Sequence, residues 1–491
     1  MVNLMTNELL SDDVAVLCRA VGKAIAADVL NPKKVKARQG IDYYNYKNDI
    51  LKSRIFYFDG NGELREDKYA SNVKIPHAFF PELVDQLVQY LLSNPIEFEC
   101  GEDETFREHL EEYYDEDFQL LLHDLVTNGC QKGFEYPYAR TTAENRLKFQ
   151  IADGLKVIPV YDGNNDIKRY LRYYSDKIVK GGKLVIVKYA ELYDENKVWY
   201  FVATEKGAYK LDQSKEVNPA PSVLAKNEKG ELGGRGYGFL PFYRYKNNQS
   251  ERTDLEPIKA LIDDYDAIDA GFSNNLADFT DAYYVVKGYE GDNLDTLKQN
   301  LRTKKTVGVS AEGGVDIKTI DIPVEARKAK MEIDRENIYR FGKGFDSSQV
   351  GDGNVTNVVI KGRYTLLNMK ANKVEVRLRA FLKWANELVV KDINRLNSKN
   401  YDPKDVKFII TREMLVNEND IVTNEKTEAD TRLVNINAVL AAAPKLDDDT
   451  VLQLICEQFE LDYEEVKAMI NETGYSDVAE GTDPIDTEPK D

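Results

Sequence analysis

The segment NVVIKGRYTLLNMKANKVEVRLRAFLKWANEL, residues 357–388, carries the most regular apolar pattern in the chain. Its apolar residues recur at alternating steps of four and three: Ile360, Tyr364, Leu367, Ala371, Val374, Leu378, Phe381, Ala385 and Leu388. An average spacing of 3.5 residues is typical of a helix that packs along another helix. The pattern therefore predicts one continuous helix over 357–396, roughly 60 Å long at about 1.5 Å per residue.

A polar segment, GKGFDSSQVGDG, precedes this helix, and its four glycines permit unusual backbone angles. Two further helical patterns come before it, over 250–282 and 324–341, with short strand-like runs between them at 283–323. We expect two helices that hold a small strand-rich insert between them, followed by a loop at 342–356.

The rest of the chain mixes helices and strands. Residues 1–40 form a helical segment, and 41–249 combine helical stretches at 81–92 and about 103–126 with period-two strands from about 147 onward. A short strand and amphipathic helices fill 397–475, and the acidic residues 476–491 predict disorder. The expected fold class is a multidomain α+β architecture with a long central helix.

The charge of the chain argues against tight, general binding of nucleic acid. It has 66 basic and 85 acidic residues, a formal net charge of −19, whereas such binding draws its affinity from neutralised phosphates. The charge is unevenly placed, because residues 357–396 hold 9 bases against 3 acids and residues 402–491 hold 23 acids against 8 bases.

Motifs for catalysis or metal binding do not stand out. The four cysteines lack C-x-x-C spacing, which favours a reducing compartment, and neither a membrane span nor a signal peptide is recognisable. There is no His-Glu-x-x-His, no Gly-x-Ser-x-Gly and no phosphate-binding loop. We therefore predict a protein that is not an enzyme and has no cofactor and no metal. His109 and His123, which flank an acidic run, leave a hydrolytic metal site as an alternative.

Several motifs, in this order, resemble the phage portal protein family of siphophages that infect Gram-positive bacteria. They are YYNYKNDIL at 43–51, NVKIPHAFFPELVDQLVQYLLSNP at 72–95, LPF at 240–242, LIDDYDAIDAGFSNNLADF at 261–279 and GDGNVTNVVIKGRYTLLNMKANKVEVRLRAFL at 351–382. The resemblance spans about 40–475. It departs at 353–357, where many relatives have a Ser-Gly-x-Ala-Leu type segment and this chain has GNVTN.

The resemblance implies a ring of about twelve copies around a DNA channel, at a capsid vertex of the virion, after assembly in the host cytoplasm. Its parts would be an α/β wing at 41–249, stem helices at 250–282 and 324–341, a clip at 283–323, a tunnel loop at 342–356, a long wing/crown helix at 357–396 and a crown at 397–475. The implied partners are other copies of the chain, double-stranded DNA without sequence preference, the terminase packaging motor, the head–tail adaptor, and capsid and scaffold proteins, but no membrane.

Three sets of residues follow as candidates. The tunnel loop would place in the channel Phe345, Asp346, Ser347, Ser348, Gln349, Val350, Gly351, Asp352, Gly353 and Asn354. Lys328, Lys330 and Arg335 would line the channel as occasional bases, although ion pairs with Glu332 or Glu336 explain them equally well. A contact between subunits would be formed by Ile360, Tyr364, Leu367, Val374, Leu378 and Phe381. For the flanking bases Arg363, Lys370 and Arg377 we favour acidic partners on a neighbouring subunit over contact with DNA.

One alternative remains from a different class of protein. A coiled-coil structural or scaffolding protein without a DNA channel would use the same long helix for dimerisation.

Overall fold

The computed structural model describes residues 8–67, 70–142, 145–180, 182–205, 207–226, 232–278, 283–289, 309–318, 323–346, 357–412, 431, 434–459 and 461–473. The chain divides into two compact units, one built from residues 1–350 and 363–414 and the other from 351–362 and 415–491. The fold combines helices with antiparallel sheets, which confirms a mixed helix-and-strand architecture.

The helices, in chain order, are α1 (Val14–Val29), α2 (Pro32–Tyr44), α3 (Phe79–Leu91), α4 (Glu104–Glu111), α5 (Glu116–Lys132), α6 (Lys259–Asp278), α7 (Val324–Gly342), α8 (Asn357–Asn397), α9 (Asp448–Phe459) and α10 (Tyr463–Thr473). The strands are β1 (Phe56–Phe58), β2 (Leu64–Glu66), β3 (Glu97–Glu99), β4 (Phe134–Thr141), β5 (Leu147–Ala152), β6 (Val157–Tyr161), β7 (Ile167–Lys180), β8 (Lys183–Tyr193), β9 (Lys197–Thr204), β10 (Lys210–Leu211), β11 (Ala220–Pro221), β12 (Val223–Lys226), β13 (Leu232–Arg235), β14 (Tyr245–Lys246), β15 (Tyr283–Tyr289), β16 (Val309–Lys318) and β17 (Lys407–Ile409). Among the described helices, none is both long and apolar enough to cross a membrane.

The largest sheet is six-stranded and lies against the N-terminal helix. Its strands run in the order β10-β9-β8-β7-β6, with β11 also paired to β9. Leu17 and Val21 of α1 pack there on Leu171, Leu192 and Phe201. The alternation of apolar residues that predicted these strands thus reflects one sheet face covered by a helix.

Helices α2 and α5 approach each other unusually closely. A Cβ atom on Gly40 would lie 1.9 Å from the backbone oxygen of Gln131, so only glycine allows this packing distance. Gly133 ends α5 in the left-handed conformation with φ of 82°, as is common for glycine just after a helix.

The acidic stretch predicted as one helix over about 103–126 is in fact two helices, α4 and α5. The Asp115 carboxylate accepts the backbone N–H of Phe118 at 2.9 Å and begins α5, which interrupts the stretch. The spaced apolar residues along it are nevertheless buried: Phe106, Leu110, Tyr113, Phe118, Leu121 and Leu125.

The long helix α8 confirms the prediction from its apolar period, but the expected role of its stripe was wrong. Leu367, Val374, Leu378 and Phe381 are each at most 3% exposed within a single chain, and Tyr364 is also buried, so these side chains leave almost no surface for a second copy. The stripe is therefore part of the core of the subunit, and it offers no face for a coiled-coil dimer. The side chain of Ile360 lies outside the described part of the structure.

In the second unit, α9 and α10 confirm two of the predicted C-terminal helices, and residues 434–442 are also helical. The Lys467 ammonium contacts the Asp449 carboxylate at 2.8 Å and links these two helices. The expectation of disorder at 476–491 lies outside the described residues.

Candidate functional site

Helices α6 and α7 form an antiparallel pair, and the hairpin of β15 and β16 lies between them in sequence. Lys330 of α7 contacts Asp264 of α6, whereas Arg327 stacks over the Phe272 ring further along α6, with 5.5 Å from its guanidinium carbon to the ring centre. The two helices expected around a strand-rich insert are therefore present, although residues 290–308 of this insert lie outside the described residues.

Two of the three candidate channel bases are neutralised within the chain. The Lys330 ammonium donates to Asp264 at 2.5 Å and to Asp334 at 2.6 Å, and these hydrogen bonds raise the pKa of Lys330. Arg335 makes a two-pronged contact with Asp346, at 2.7 Å from Nε and 2.8 Å from Nη2. Within the chain, the acidic partners of these two bases are therefore Asp264, Asp334 and Asp346, and pairs with Glu332 or Glu336 of another subunit stay a prediction.

Lys328 differs from these two bases, because its ammonium lies 3.7 Å from the highly exposed Glu325 carboxylate and its own side chain is 69% exposed. An exposed pair of this kind contributes little energy. Of the three candidate bases, Lys328 is the one most available to another molecule.

The first residues of the predicted tunnel loop are fixed to the body of the first unit. The Gln86 side chain on α3 donates to the Phe345 carbonyl at 2.8 Å and accepts the Phe345 N–H at 3.2 Å. The Phe345 ring lies 4.8 Å from the Tyr364 ring of α8, measured between centres. We call this junction, formed by Gln86, residues 342–346 and Tyr364, the loop root.

The glycines of the loop root serve close packing as well as backbone freedom. A Cβ atom on Gly342 or Gly344 would approach the buried Leu83 side chain to 2.5 Å or 2.3 Å. Because Leu83 is itself enclosed, a larger residue at either position would push the loop root away from α3. The remaining candidate loop residues, Ser347, Ser348, Gln349, Val350, Gly351, Asp352, Gly353 and Asn354, lie outside the described residues.

Lys370 of α8 joins the loop root to the core. Its ammonium contacts Asp254 at 2.9 Å and donates to the Gly342 carbonyl at 3.3 Å. Burial acts to lower the pKa of Lys370, but the Asp254 carboxylate outweighs burial and raises it. The expectation of an acidic partner on a neighbouring subunit was therefore wrong for Lys370, because that partner is in the same chain.

Two further bases lie near the loop root, Lys343 and Lys373, and neither was among the predicted site residues. Burial, followed by the nearby charges of Lys373 and Lys370, lowers the pKa of Lys343. The signal was present in the sequence, since Lys343 lies between two loop glycines and Lys373 follows Lys370 by one helical turn. Gln86, by contrast, has no local signal, because its partner Phe345 is distant along the chain.

Replacing Gln86 by leucine should loosen the loop root. Two hydrogen bonds to the Phe345 backbone are lost, each contributing about 0.5–1.5 kcal/mol, so amide hydrogen exchange at Phe345 should accelerate at least about ten-fold. Gln119→Leu is a matched control, because the Gln119 side chain makes the same two-way contact with the Ile96 backbone. Faster exchange at Phe345 in the control, or unchanged exchange in Gln86→Leu, would contradict the assignment.

The start of α6 is fixed by a group of charges. The Lys259 ammonium contacts Asp49 and Asp263, each at 2.6 Å. Burial acts to raise the pKa of Asp49, but hydrogen bonds from Lys259 and Lys52 lower it to about 2. Further along α6, the fully buried Asp266 accepts the backbone N–H of His77 at 3.0 Å and the Asn48 amide at 2.7 Å.

The low pKa of Asp49 predicts acid sensitivity. A carboxyl group whose pKa is lower in the folded state stabilises the fold above its unfolded value of about 3.8, and this stabilisation is lost as the pH falls toward 2. The melting temperature of the wild type should therefore fall more between pH 4 and pH 2 than that of Asp49→Asn. If the melting temperatures of the two proteins fell equally between pH 4 and pH 2, protonation of Asp49 would not be coupled to folding.

The alternative of a hydrolytic metal site receives no support from the geometry. His109 lines an open cleft with Glu112, Asp115 and Asp117, but His123 is not among the residues that line it. In the part of the chain that the structure describes, no three His, Cys, Asp or Glu side chains are grouped to hold a metal ion.

Comparison with known proteins identifies the family. The model of the family "Phage portal protein, SPP1 Gp6-like" matches residues 30–473. The portal protein of Bacillus phage SPP1 is 30% identical over 454 residues, covering 91% of this chain and 88% of that protein. The portal protein of Clostridium phage phiCD119 is 25% identical over 441 residues, covering 86% and 92%.

A solved structure titled "Neck of empty GTA particle computed with C6 symmetry" includes a chain with a TM-score of 0.37 and 12% identity, covering 77% of this chain and 90% of that one. A likeness this distant adds nothing to the assignment. Portal proteins are structural virion components and not enzymes. On the family model and the two phage relatives, this chain belongs to the SPP1 Gp6-like family of phage portal proteins.

Proposed function

We propose that this chain forms a closed ring of about twelve copies at one vertex of a phage capsid, through which double-stranded DNA is packaged and later ejected. The observation that carries the proposal is the family match, which extends over residues 30–473 and so includes both compact units. In this ring, residues 41–249 form the wing, α6 and α7 the stem, 283–323 the clip and 397–475 the crown.

The loop root supports a channel loop at 347–356. Gln86 of α3 and Tyr364 of α8 contact Phe345, just before this segment, and α8 begins after it at Asn357. A loop fixed at such a root can project into a channel without drawing the body of the subunit after it. Residues Ser347 to Asn354 are the part that would meet DNA.

The charges of the stem suit DNA that must slide. Each phosphate that a protein neutralises adds to its affinity for DNA, so a conduit needs few available bases. Asp264 and Asp334 hold Lys330, and Asp346 holds Arg335, which removes these bases from strong phosphate contact. Lys343 in the loop root and the nearby Lys373 are better candidates for the occasional base that faces DNA.

The remaining partners follow from the places of these parts in the ring. The clip would dock the terminase packaging motor and later the head–tail adaptor. The outer wing would contact capsid and scaffold proteins during assembly in the host cytoplasm, and the ring would then remain in the virion.

Mass and shape test this proposal directly. Light scattering on the purified protein should give one assembly of about 670 kDa, twelve times the 56.0 kDa chain, and negative-stain images should show a ring with an open centre. A monomer, a dimer, or a ring whose centre is filled by folded protein would overturn it.

A further inference from the structure

The hairpin of β1 and β2, residues 56–66, exposes an unusual set of apolar side chains. Phe56, Tyr57, Phe58 and Leu64 are 50%, 48%, 73% and 60% exposed. A two-stranded hairpin is only marginally stable by itself in water, and clustered exposed aromatic residues commonly mark an interaction surface. We call this segment the aromatic hairpin; its exposed side chains indicate a contact with another molecule.

The charges of the aromatic hairpin narrow the choice of partner. Arg65 pairs with Asp59 at 2.6 Å and with Glu63 at 3.3 Å, and Arg54 lies 3.7 Å from Glu66. Residues 54–66 contain two bases and three acids, so one negative charge remains in excess. The covering surface should therefore be partly apolar and carry at least one available base.

The aromatic hairpin is attached near one end of α6. The chain that leaves it is fastened to the C-terminal part of α6, because the Val73 N–H donates to the Asn274 side chain at 2.7 Å. Copies in a ring are related by rotation about the ring axis, and this rotation leaves the position along the axis unchanged. Whatever projects sideways at the level of Asn274 therefore meets, on the next copy, the surface at that same level.

That surface has the required chemistry. Arg327, at the start of α7, stacks over Phe272 of α6, and Lys328 follows it with an exposed side chain. The end of α6 and the start of α7 therefore combine an aromatic ring with an available base, which complements the acidic excess of the hairpin.

We propose that the aromatic hairpin of each subunit docks on the next copy of this chain, against the C-terminal part of α6 and the N-terminal part of α7, with Lys328 facing the hairpin acids. This interaction rests on the proposed ring and names one of its contacts. It also assigns Lys328 to assembly, in place of the channel. The contact is heterologous, with a knob on one copy and its acceptor on the next, as ring closure requires.

The substitution Phe58→Ser tests whether the aromatic hairpin makes this contact. We expect the variant to keep the wild-type circular dichroism spectrum, while the protein concentration at which half the rings dissociate rises at least ten-fold. Val179→Ser is the matched control, because Val179 is also 73% exposed and lies near the tip of another hairpin; it should assemble as the wild type does. Normal ring formation by Phe58→Ser would overturn the inference, even if the variant failed later to join capsids, since the hairpin partner would then be another protein.

Charge exchange tests the acceptor. Lys328→Glu and Glu63→Lys should each weaken assembly several-fold, and the two together should restore it. Trypsin cleavage after Arg65 supplies a measurement on the unaltered protein, and we expect cleavage to be at least ten-fold slower in rings than in dissociated subunits. Equal cleavage in both, or no recovery in the double variant, would overturn the inference. Failure of the wild type to form rings at all would instead overturn the proposed function.

Discussion

Replacing Phe381 by alanine is expected to destabilise the protein by about 3–5 kcal/mol, the usual cost of removing a buried phenylalanine side chain. Phe381 is fully buried in a single chain. Its ring centre lies 5.6 Å from Tyr243, 5.9 Å from Trp384 and 6.4 Å from Phe118. Because Phe118 and Trp384 belong to the helices α5 and α8 and interiors are closely packed, the cavity left by the substitution can close only in part.

Val376→Ala is the control for this prediction, since Val376 lies on the same helix but is 67% exposed. Urea unfolding at one protein concentration should give a change within about 0.5 kcal/mol for the control. Constant concentration matters because assembly itself adds stability. If Phe381→Ala left unfolding unchanged but abolished assembly, the stripe of α8 would have to lie between subunits after all.

The stripe on α8 shows what an apolar period can and cannot predict. The 3.5-residue spacing predicted a continuous helix with one buried face, and the structure has that helix at Asn357–Asn397. The period does not say which residues cover the face. Here the cover includes Phe118 and Tyr243 of the same chain, and such long-range partners leave no local mark in the sequence.

The two helices α4 and α5 show the converse case, in which a local signal was present and overlooked. Asp103 and Asp115 each cap a helix through a side-chain oxygen, and aspartate is among the preferred residues at that position. The apolar spacing identified the buried positions but ran across the second cap. Capping residues therefore locate a helix boundary that periodicity alone conceals.

The ion pairs of the candidate site also include one that the sequence predicts and others that it does not. Lys330 and Asp334 are four residues apart on one helix, a spacing that predicts their ion pair. Asp264 and Asp346, the other acids that hold the candidate bases, reach them only through the packing of α7 against α6 and the return of the chain at the loop root. Residue type and spacing thus identified the bases, but tertiary structure determined which of them remain available.

Lys370→Met should be the most damaging single substitution of a charged residue near the loop root, at about 3–5 kcal/mol. Methionine keeps much of the volume of lysine but leaves the Asp254 carboxylate largely buried without its 2.9 Å partner. It also removes the donor to the Gly342 carbonyl, so the chain just before the proposed channel loop loses one of its attachments. Lys373 lies one turn further along α8 and is exposed. Lys373→Met should therefore change the free energy of unfolding by no more than about 0.5 kcal/mol.

The double variant Lys370→Met, Asp254→Asn separates the two parts of this cost. Neutralising Asp254 removes the unpaired buried charge, so urea unfolding should recover part of the lost stability. Exchange of the Phe345 amide should remain fast, because the attachment of Lys370 to Gly342 is still missing. Complete recovery of both properties would mean that Lys370 only balances charge. Recovery of stability alone would mean that it also fixes the segment from which the proposed channel loop begins.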